Sequence, residues 1–209
     1  MKERILLTIL LTLLLTGSLL CQFNLNVSSG VNISNIKASD NLSNDSQSRL
    51  GYFLEFAPSY RINDRVQLLL NLQYSQKGYK SVEVASVVSQ RRITYFDIIP
   101  ELEYQVIDFL SLGLGINYGF RLDEQFKIDD GDWQDPTFAR IIESDDFGLV
   151  GKVKFSLKQL YVFARYNLGL KSIATFTVTD LNGDHAGEGN WKNRNLQIGV
   201  GYAFGVNRK

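Results

Sequence analysis

Val66-Gln67-Leu68-Leu69-Leu70-Asn71-Leu72-Gln73-Tyr74-Ser75 is the stretch on which the reading of this chain turns. Successive side chains of a strand point to opposite faces, so the ten residues sort into two sides. One side carries Val66, Leu68, Leu70, Leu72 and Tyr74; the other carries Gln67, Leu69, Asn71, Gln73 and Ser75. One greasy face and one mostly wet face is the pattern of a membrane-spanning barrel, with lipid outside and a polar lumen inside. The alternation returns along the chain and predicts strands at roughly 22–33, 50–61, 65–77, 91–106, 109–122, 146–157, 159–171 and 194–206. The expected fold is therefore all-β, an eight-stranded antiparallel up-and-down transmembrane β-barrel.

The other strands repeat the sorting. The second gives Tyr52, Leu54, Phe56, Pro58 and Tyr60 on its outer face, and the last gives Leu196, Ile198, Val200, Tyr202 and Phe204. The fifth puts Leu110, Leu112, Leu114, Ile116, Tyr118 and Phe120 outside, against Ser111, Gly113, Gly115, Asn117, Gly119 and Arg121 inside. Inward glycines suit a narrow barrel, where space is scarce. Connectors alternate in length. Ile62-Asn63-Asp64, Ile107-Asp108 and Lys158 are tight turns, while 34–49, 78–90, 123–145 and 172–193 are long. Outer-membrane barrels have short periplasmic turns and long outside loops, which puts both termini on the periplasmic side.

Outward aromatics fall into two lipid-facing girdles. Tyr52, Tyr74, Phe96, Tyr118, Phe120 and Phe147 lie toward the long loops; Phe23, Tyr60, Tyr104, Phe155, Tyr202 and Phe204 lie toward the short turns. Between them come Leu54, Leu70, Leu102, Leu114, Leu149, Val162 and Val200. Aromatic rings favour the interfaces and aliphatic chains the hydrocarbon core. A soluble eight-stranded cup would need the opposite polarity, apolar inside and polar outside.

The chain has 209 residues, enough for one all-β domain, and a formal net charge of zero, which argues against a nucleic-acid partner. Lys2 and Arg4, the apolar run Ile5 to Leu15, and the small residues Gly17, Ser18 and Cys21 read as a secretory signal peptide. The expected division is a signal peptide over 1–21, cut after Cys21, and a barrel domain over 22–209. A lipoprotein signal with Cys21 as the lipidated first residue is the rival reading; Leu20 stands where that enzyme prefers a small residue. Cys21 is the only cysteine, so a chain cut after it is held by packing and hydrogen bonds without disulfides.

Several short motifs occur in a telling order: Tyr74-Ser75-Gln76-Lys77-Gly78, Ile98-Ile99-Pro100, Phe147-Gly148-Leu149-Val150-Gly151, Arg165-Tyr166-Asn167-Leu168-Gly169-Leu170 and Gly199-Val200-Gly201-Tyr202-Ala203-Phe204. In order and spacing this resembles the PorT-like outer-membrane β-barrel family of Gram-negative bacteria, over essentially the whole chain after the signal peptide. The resemblance implies a small integral outer-membrane barrel without implying one activity. Barrels of that kind often end at the aromatic residue of the last strand, whereas here Gly205 to Lys209 follow Phe204.

The inward face is charged. Glu55, Asp97, Glu101 and Glu103 project from strands two and four; Lys152, Lys154 and Arg165 project from strands six and seven. Acids on one wall and bases on the opposite wall predict an ion-pair network that plugs a lumen narrow enough for side chains to fill, rather than a gate or conduction path. Arg165 is expected to pair with Glu55, Glu101 or Glu103. His185 lies in Asp184-His185-Ala186-Gly187, a polar loop tip without the fixed partner a catalytic histidine needs. The acidic clusters Asp129-Asp130-Gly131-Asp132 with Asp135, and Asp180, Asn182 and Asp184 around Gly183, read as solvated turns rather than calcium loops. Trp133 and Trp191 are candidate partner contacts or headgroup anchors.

These readings converge on a non-enzymatic barrel, without cofactor or metal, that supports the envelope or presents its loops to a partner. Its expected partners are outer-membrane lipids and lipopolysaccharide, and envelope or secretion proteins, around a monomeric barrel. The alternatives are an accessory barrel of a secretion or transport apparatus, and a lipid-modifying outer-membrane enzyme.

Overall fold

The structure, a computed structural model, describes residues 23–38, 46–82, 88–136, 145–179 and 185–205, with backbone only at 82, 176–179 and 185–188. The segment 1–21 read as a signal peptide, Gln22, and the acidic cluster Asp180, Asn182 and Asp184 lie outside the described residues. Nine strands follow in chain order: β1 (Phe23–Ala38), β2 (Ser46–Arg61), β3 (Val66–Val82), β4 (Val88–Ile107), β5 (Leu110–Ile128), β6 (Asp146–Leu157), β7 (Leu160–Gly169), β8 (Ala174–Thr179) and β9 (His185–Phe204).

Each strand pairs antiparallel with its neighbours, and β9 closes the ring on β1 from Leu25 opposite Phe204 to Ala38 opposite Trp191. The ring has eight columns rather than nine. β7 pairs with the 194–202 stretch of β9, and β8 pairs with the next stretch, Ala174 opposite Trp191 through Thr179 opposite His185. β8 thus continues the column of β7 after a break at 170–173. Closure leaves no exposed sheet edge in the membrane, where an unpaired backbone group would cost several kcal/mol.

The alternation holds through every ring strand. In β6 the burial sequence runs buried at Asp146, Gly148, Val150, Lys152 and Lys154, and exposed at Phe147, Leu149, Val153 and Phe155. On the outer surface Leu114 is 73% exposed and Val200 53%, while inward Asn117 and Gln197 are fully covered.

Six strands are longer than the alternation indicated, at the long-loop end, whereas β6 keeps the expected 146–157 and β7 stops at Gly169, short of the expected 171. β1 runs on to Ala38, β2 starts at Ser46, β3 reaches Val82, β4 starts at Val88, β5 reaches Ile128 and β9 starts at His185. Much of the expected connectors 34–49, 78–90 and 172–193 is therefore hairpin. Beyond the lipid the outward positions meet water and need not be apolar, so the ladder continues without a lipid-facing stripe, while inward residues such as Ile36 and Tyr79 stay buried. His185 belongs to this correction: it opens β9, with its backbone opposite Thr179, rather than capping a loop. The short turns sit where expected. Asn63 Oδ1 accepts from the backbone N–H of Arg65 at 2.9 Å and of Val66 at 2.8 Å, closing the β2–β3 turn.

Candidate functional site

The lumen is filled by side chains in layers. Its lowest layer, nearest the short turns, joins β4 to β6. Lys152 pairs with Glu101 and, at 2.9 Å, with Glu103, and Lys154 also pairs with Glu103. These acids and bases are not on opposite walls: they flank β5, and its glycine face lets them meet. A Cβ on Gly113 would lie 2.5 Å from Glu101 Oε1 and 3.2 Å from Lys152 Cβ. The inward glycines thus serve as a passage between two charged strands, which is more specific than a saving of space.

Arg165 crosses the lumen from β7. Its guanidinium forks onto the Glu55 carboxylate of β2, with Nη2 at 3.2 Å from Oε1, and a further Nη2 contact reaches Glu101 at 3.4 Å. Glu55 also accepts from Ser28 at 3.1 Å and from Gln73 at 2.9 Å, and Gln197 donates to Gln73 at 2.7 Å. Arg165 and Glu55 are thereby held by β1, β2, β3, β4, β7 and β9 together. Bidentate Arg–carboxylate geometry is the strong form of such a bond. The Phe163 ring lies 5.1 Å from the Arg165 guanidinium and packs with Phe53 and Tyr161 in a buried aromatic cluster.

Of the third layer, Asp97 was expected from the sequence, but Lys77 and Asp146 were not. Lys77 Nζ, with no exposed surface, lies 2.9 Å from Asp97 and 2.8 Å from Asp146. Ser75 donates to Asp97 at 2.5 Å. Lys77 and Asp146 both stand at inward parity, two residues beyond Ser75 and two before Gly148. Their signal was present but fell at the ends of the expected strands. Above them Ile36, Tyr79, Ile93, Tyr95, Ile173 and Ala174 form a buried apolar cluster, with Trp191 packed against it. Lys77 Nζ sits 4.8 Å from the Tyr95 ring, so charge layer and apolar cap are in direct contact.

The structure thus brings together every charged residue singled out inside the barrel: Glu55, Asp97, Glu101, Glu103, Lys152, Lys154 and Arg165. Glu103 pairs with the two lysines rather than with Arg165. The girdle residues all lie on the outside of the ring. Tyr52, Tyr74, Phe96, Tyr104, Tyr118, Phe120, Phe147, Phe155 and Phe204 are exposed, and Tyr60 and Tyr202 are half-buried. Neighbouring rings touch, with Tyr118–Phe120 and Tyr202–Phe204 centroids 4.7 Å apart.

The two tryptophans part company. Trp191 meets Tyr79 edge-on at 5.5 Å. Trp133 is drawn back by a bridge in which Phe126 and Gln134 exchange backbone hydrogen bonds at 3.0 and 2.8 Å. Its indole lies 4.4 Å from the Arg92 guanidinium, 5.3 Å from that of Arg49 and 5.6 Å from Lys127 Nζ. Asp129 accepts from the Val88 backbone N–H at 2.9 Å, and no metal-holding group of acids, cysteines or histidines occurs among the described residues. At the other end, inside the short turns, the lumen opens into a polar cavity of about 580 Å³ lined by residues such as Asn26, Arg61, Gln67, Ser111 and Lys154.

A family model described as "Outer membrane protein beta-barrel domain" matches residues 21–175. No curated protein matches the chain. Among solved structures, Neisserial surface protein A is similar at 15% identity and TM-score 0.49, over 86% of this chain and 96% of its own. Ail, the attachment invasion locus protein of Yersinia pestis, is similar at 15% identity and TM-score 0.46, over 88% and 99%. OprG from Pseudomonas aeruginosa is similar at 14% identity and TM-score 0.40, over 88% and 96%.

Proposed function

This chain belongs to the outer membrane protein β-barrel domain family and resides in the outer membrane, and from that premise we propose that it is a monomeric, non-enzymatic barrel whose plugged lumen stabilises it and whose long-loop end makes its contacts. The reading takes residues 1–21 as the signal peptide that exports it, and the outward girdles as its lipid-facing surface. One observation carries it. From Lys154 up to Ile93 the lumen is occupied by interlocked side chains, with Arg165 fully buried across the middle. A central arginine held by two carboxylates is fixed in place, and moving it would leave buried charges unpaired. The lumen is then a structural core made of polar groups, and recognition is left to the surfaces outside it.

Planar-bilayer recordings test this directly. The purified barrel should show at most small, rare openings. A large steady conductance would replace the plug with a water path.

A second reading is favoured by the cavity inside the short turns, whose lining mixes Arg61, Arg65, Lys158, Asp64 and Asp108 with neutral polar groups. A periplasmic segment of a secretion or transport partner would find both charges there. In-cell crosslinking from Asn63 and from Trp133 discriminates the two. Adducts confined to Asn63 would favour the accessory barrel, and adducts confined to Trp133 the loop-end reading.

A further inference from the structure

Cations inside the barrel are each matched to a carboxylate: Lys77 to Asp97 and Asp146, Lys152 to Glu101 and Glu103, Lys154 to Glu103, Arg165 to Glu55 and Glu101. The group around Trp133 breaks this rule. Arg49, Arg92 and Lys127 converge on one indole from β2, β4 and β5, and among the described residues no carboxylate forms an ion pair with any of them. Arg92 is hydrogen-bonded to the neutral side chain of Gln125. Nearby, Arg91 and Arg121 both reach Glu124, at 2.6 and 3.5 Å.

The second observation is Arg49 itself. It is only 7% exposed, yet its guanidinium makes a single long hydrogen bond, Nη1 to the Lys77 carbonyl at 3.4 Å. A guanidinium carries five N–H donors. No nitrogen of Arg49 is buried without a partner, so its uncommitted donors face solvent beside a second guanidinium, where one anion can join the two. Stacking on the indole does not use the in-plane donors. Apart from the donor that Arg92 gives Gln125, guanidinium groups held over an indole keep in-plane donors for phosphate oxygens.

Position fits the same chemistry. Arg92 stands four residues beyond the girdle residue Phe96, and Arg49 three beyond Tyr52. At about 3.3 Å per residue along strands tilted by about 40°, that is roughly 8–10 Å above the aromatic belt, on its water side and within reach of phosphorylated headgroups.

We infer that Trp133, Arg49, Arg92 and Lys127 form an anion site that takes a phosphate ester, the indole setting the two guanidinium planes and Lys127 supplying a point charge. The inference rests on the reading that the long-loop end makes this barrel's contacts. It names the chemistry of one such contact.

The test uses the full barrel refolded in detergent with Trp191→Phe, so that Trp133 alone fluoresces. It is titrated with inorganic phosphate against chloride at matched ionic strength, and with vesicles of phosphatidylcholine with and without lipopolysaccharide. A saturable Trp133 response is expected. Arg92→Gln and Lys127→Gln should each weaken it, Arg92→Gln by about 10-fold, the worth of one charge-assisted hydrogen bond. Heat-modified migration on gels confirms that each variant is folded. A response to inorganic phosphate identifies a site for the free anion; a response to lipopolysaccharide vesicles alone identifies the headgroup phosphate as the ligand. No saturable response to either, or one unchanged in both variants, overturns the site. Closed-lumen recordings alongside a silent Trp133 would sink the anion site and leave the proposed function standing.

Discussion

At its short-turn end the lumen widens into a polar cavity of about 580 Å³, whereas at its long-loop end it closes on Ile93, Tyr95 and Ile173, none of which keeps any exposed surface. Between the two lie the charge layers, ranked from Lys154 and Glu103 at the open end to Lys77, Asp97 and Asp146 beneath the apolar cap. The open end makes hydration cheap for the polar groups it contains. The closed end excludes water, so each charge beneath it must be met by another. Burial and pairing rise together along the barrel axis, and an axial gradient of stability should follow.

The largest test of that gradient lies at its centre. Arg165→Ala strands Glu55 among buried groups and should cost about 3–5 kcal/mol, read as a lower urea midpoint in detergent. Adding Glu55→Gln should recover part of the loss, because the orphaned charge goes with it. A single variant as stable as wild type would mean that water already reaches this layer.

The cap comes next. Ile93→Ala removes packing from a residue with no exposed surface and should cost about 2–4 kcal/mol, within the usual range for emptying a core site. If the cap is the seal, this variant should also raise the rate of brief openings in bilayer recordings. Destabilisation without added openings would assign closure to the charge layers alone.

Gly113→Ala probes the passage between β4 and β6. Its new methyl would press on Glu101 Oε1, the end of a flexible side chain, and on Lys152 Cβ. Overpacking of this kind should cost about 1–3 kcal/mol. Gly151, whose Cβ would meet nothing within 4 Å, is the control, and a comparable loss there would show that strand propensity, not the passage, is being measured.

The smallest effect belongs to the open end. Arg65 is exposed in the β2–β3 turn and lines the cavity, so Arg65→Ala should change stability by less than about 0.5 kcal/mol. A loss near that of Ile93→Ala would abolish the contrast between the ends.

How far the chain could be read in advance varied with the environment of each residue. Inside the membrane span, parity along β3 or β5 assigns Leu70 and Leu114 outward and Asn71 and Asn117 inward, because lipid and lumen impose opposite demands on alternate positions. Lys77 obeys the same parity, but it stands near the end of the alternating run and its partners lie on β4 and β6. Beyond that level, the extensions to Ile128 and His185 carry no continuous apolar stripe to announce them, and β8, in which Ala174, Phe176 and Val178 alternate with threonines, is only six residues long and follows a break in the column of β7. The bulges between Ser48 and Phe53 on the β2–β3 pair, and between Thr94 and Tyr95 on the β4–β5 pair, are equally silent in sequence.

Taken alone, the amino-acid sequence determined sidedness: which residues turn to lipid, which turn inward, and which connectors are short. Those are local properties, fixed by a two-residue backbone repeat and by the solvent on each face. Only the closed barrel decided who meets whom. Arg165 and Glu55 stand 110 residues apart, and Glu101 reaches Lys152 across a strand that belongs to neither. Such meetings depend on ring closure, on the stagger between neighbouring strands and on the gap an inward glycine leaves, and none of these is a property of any one strand.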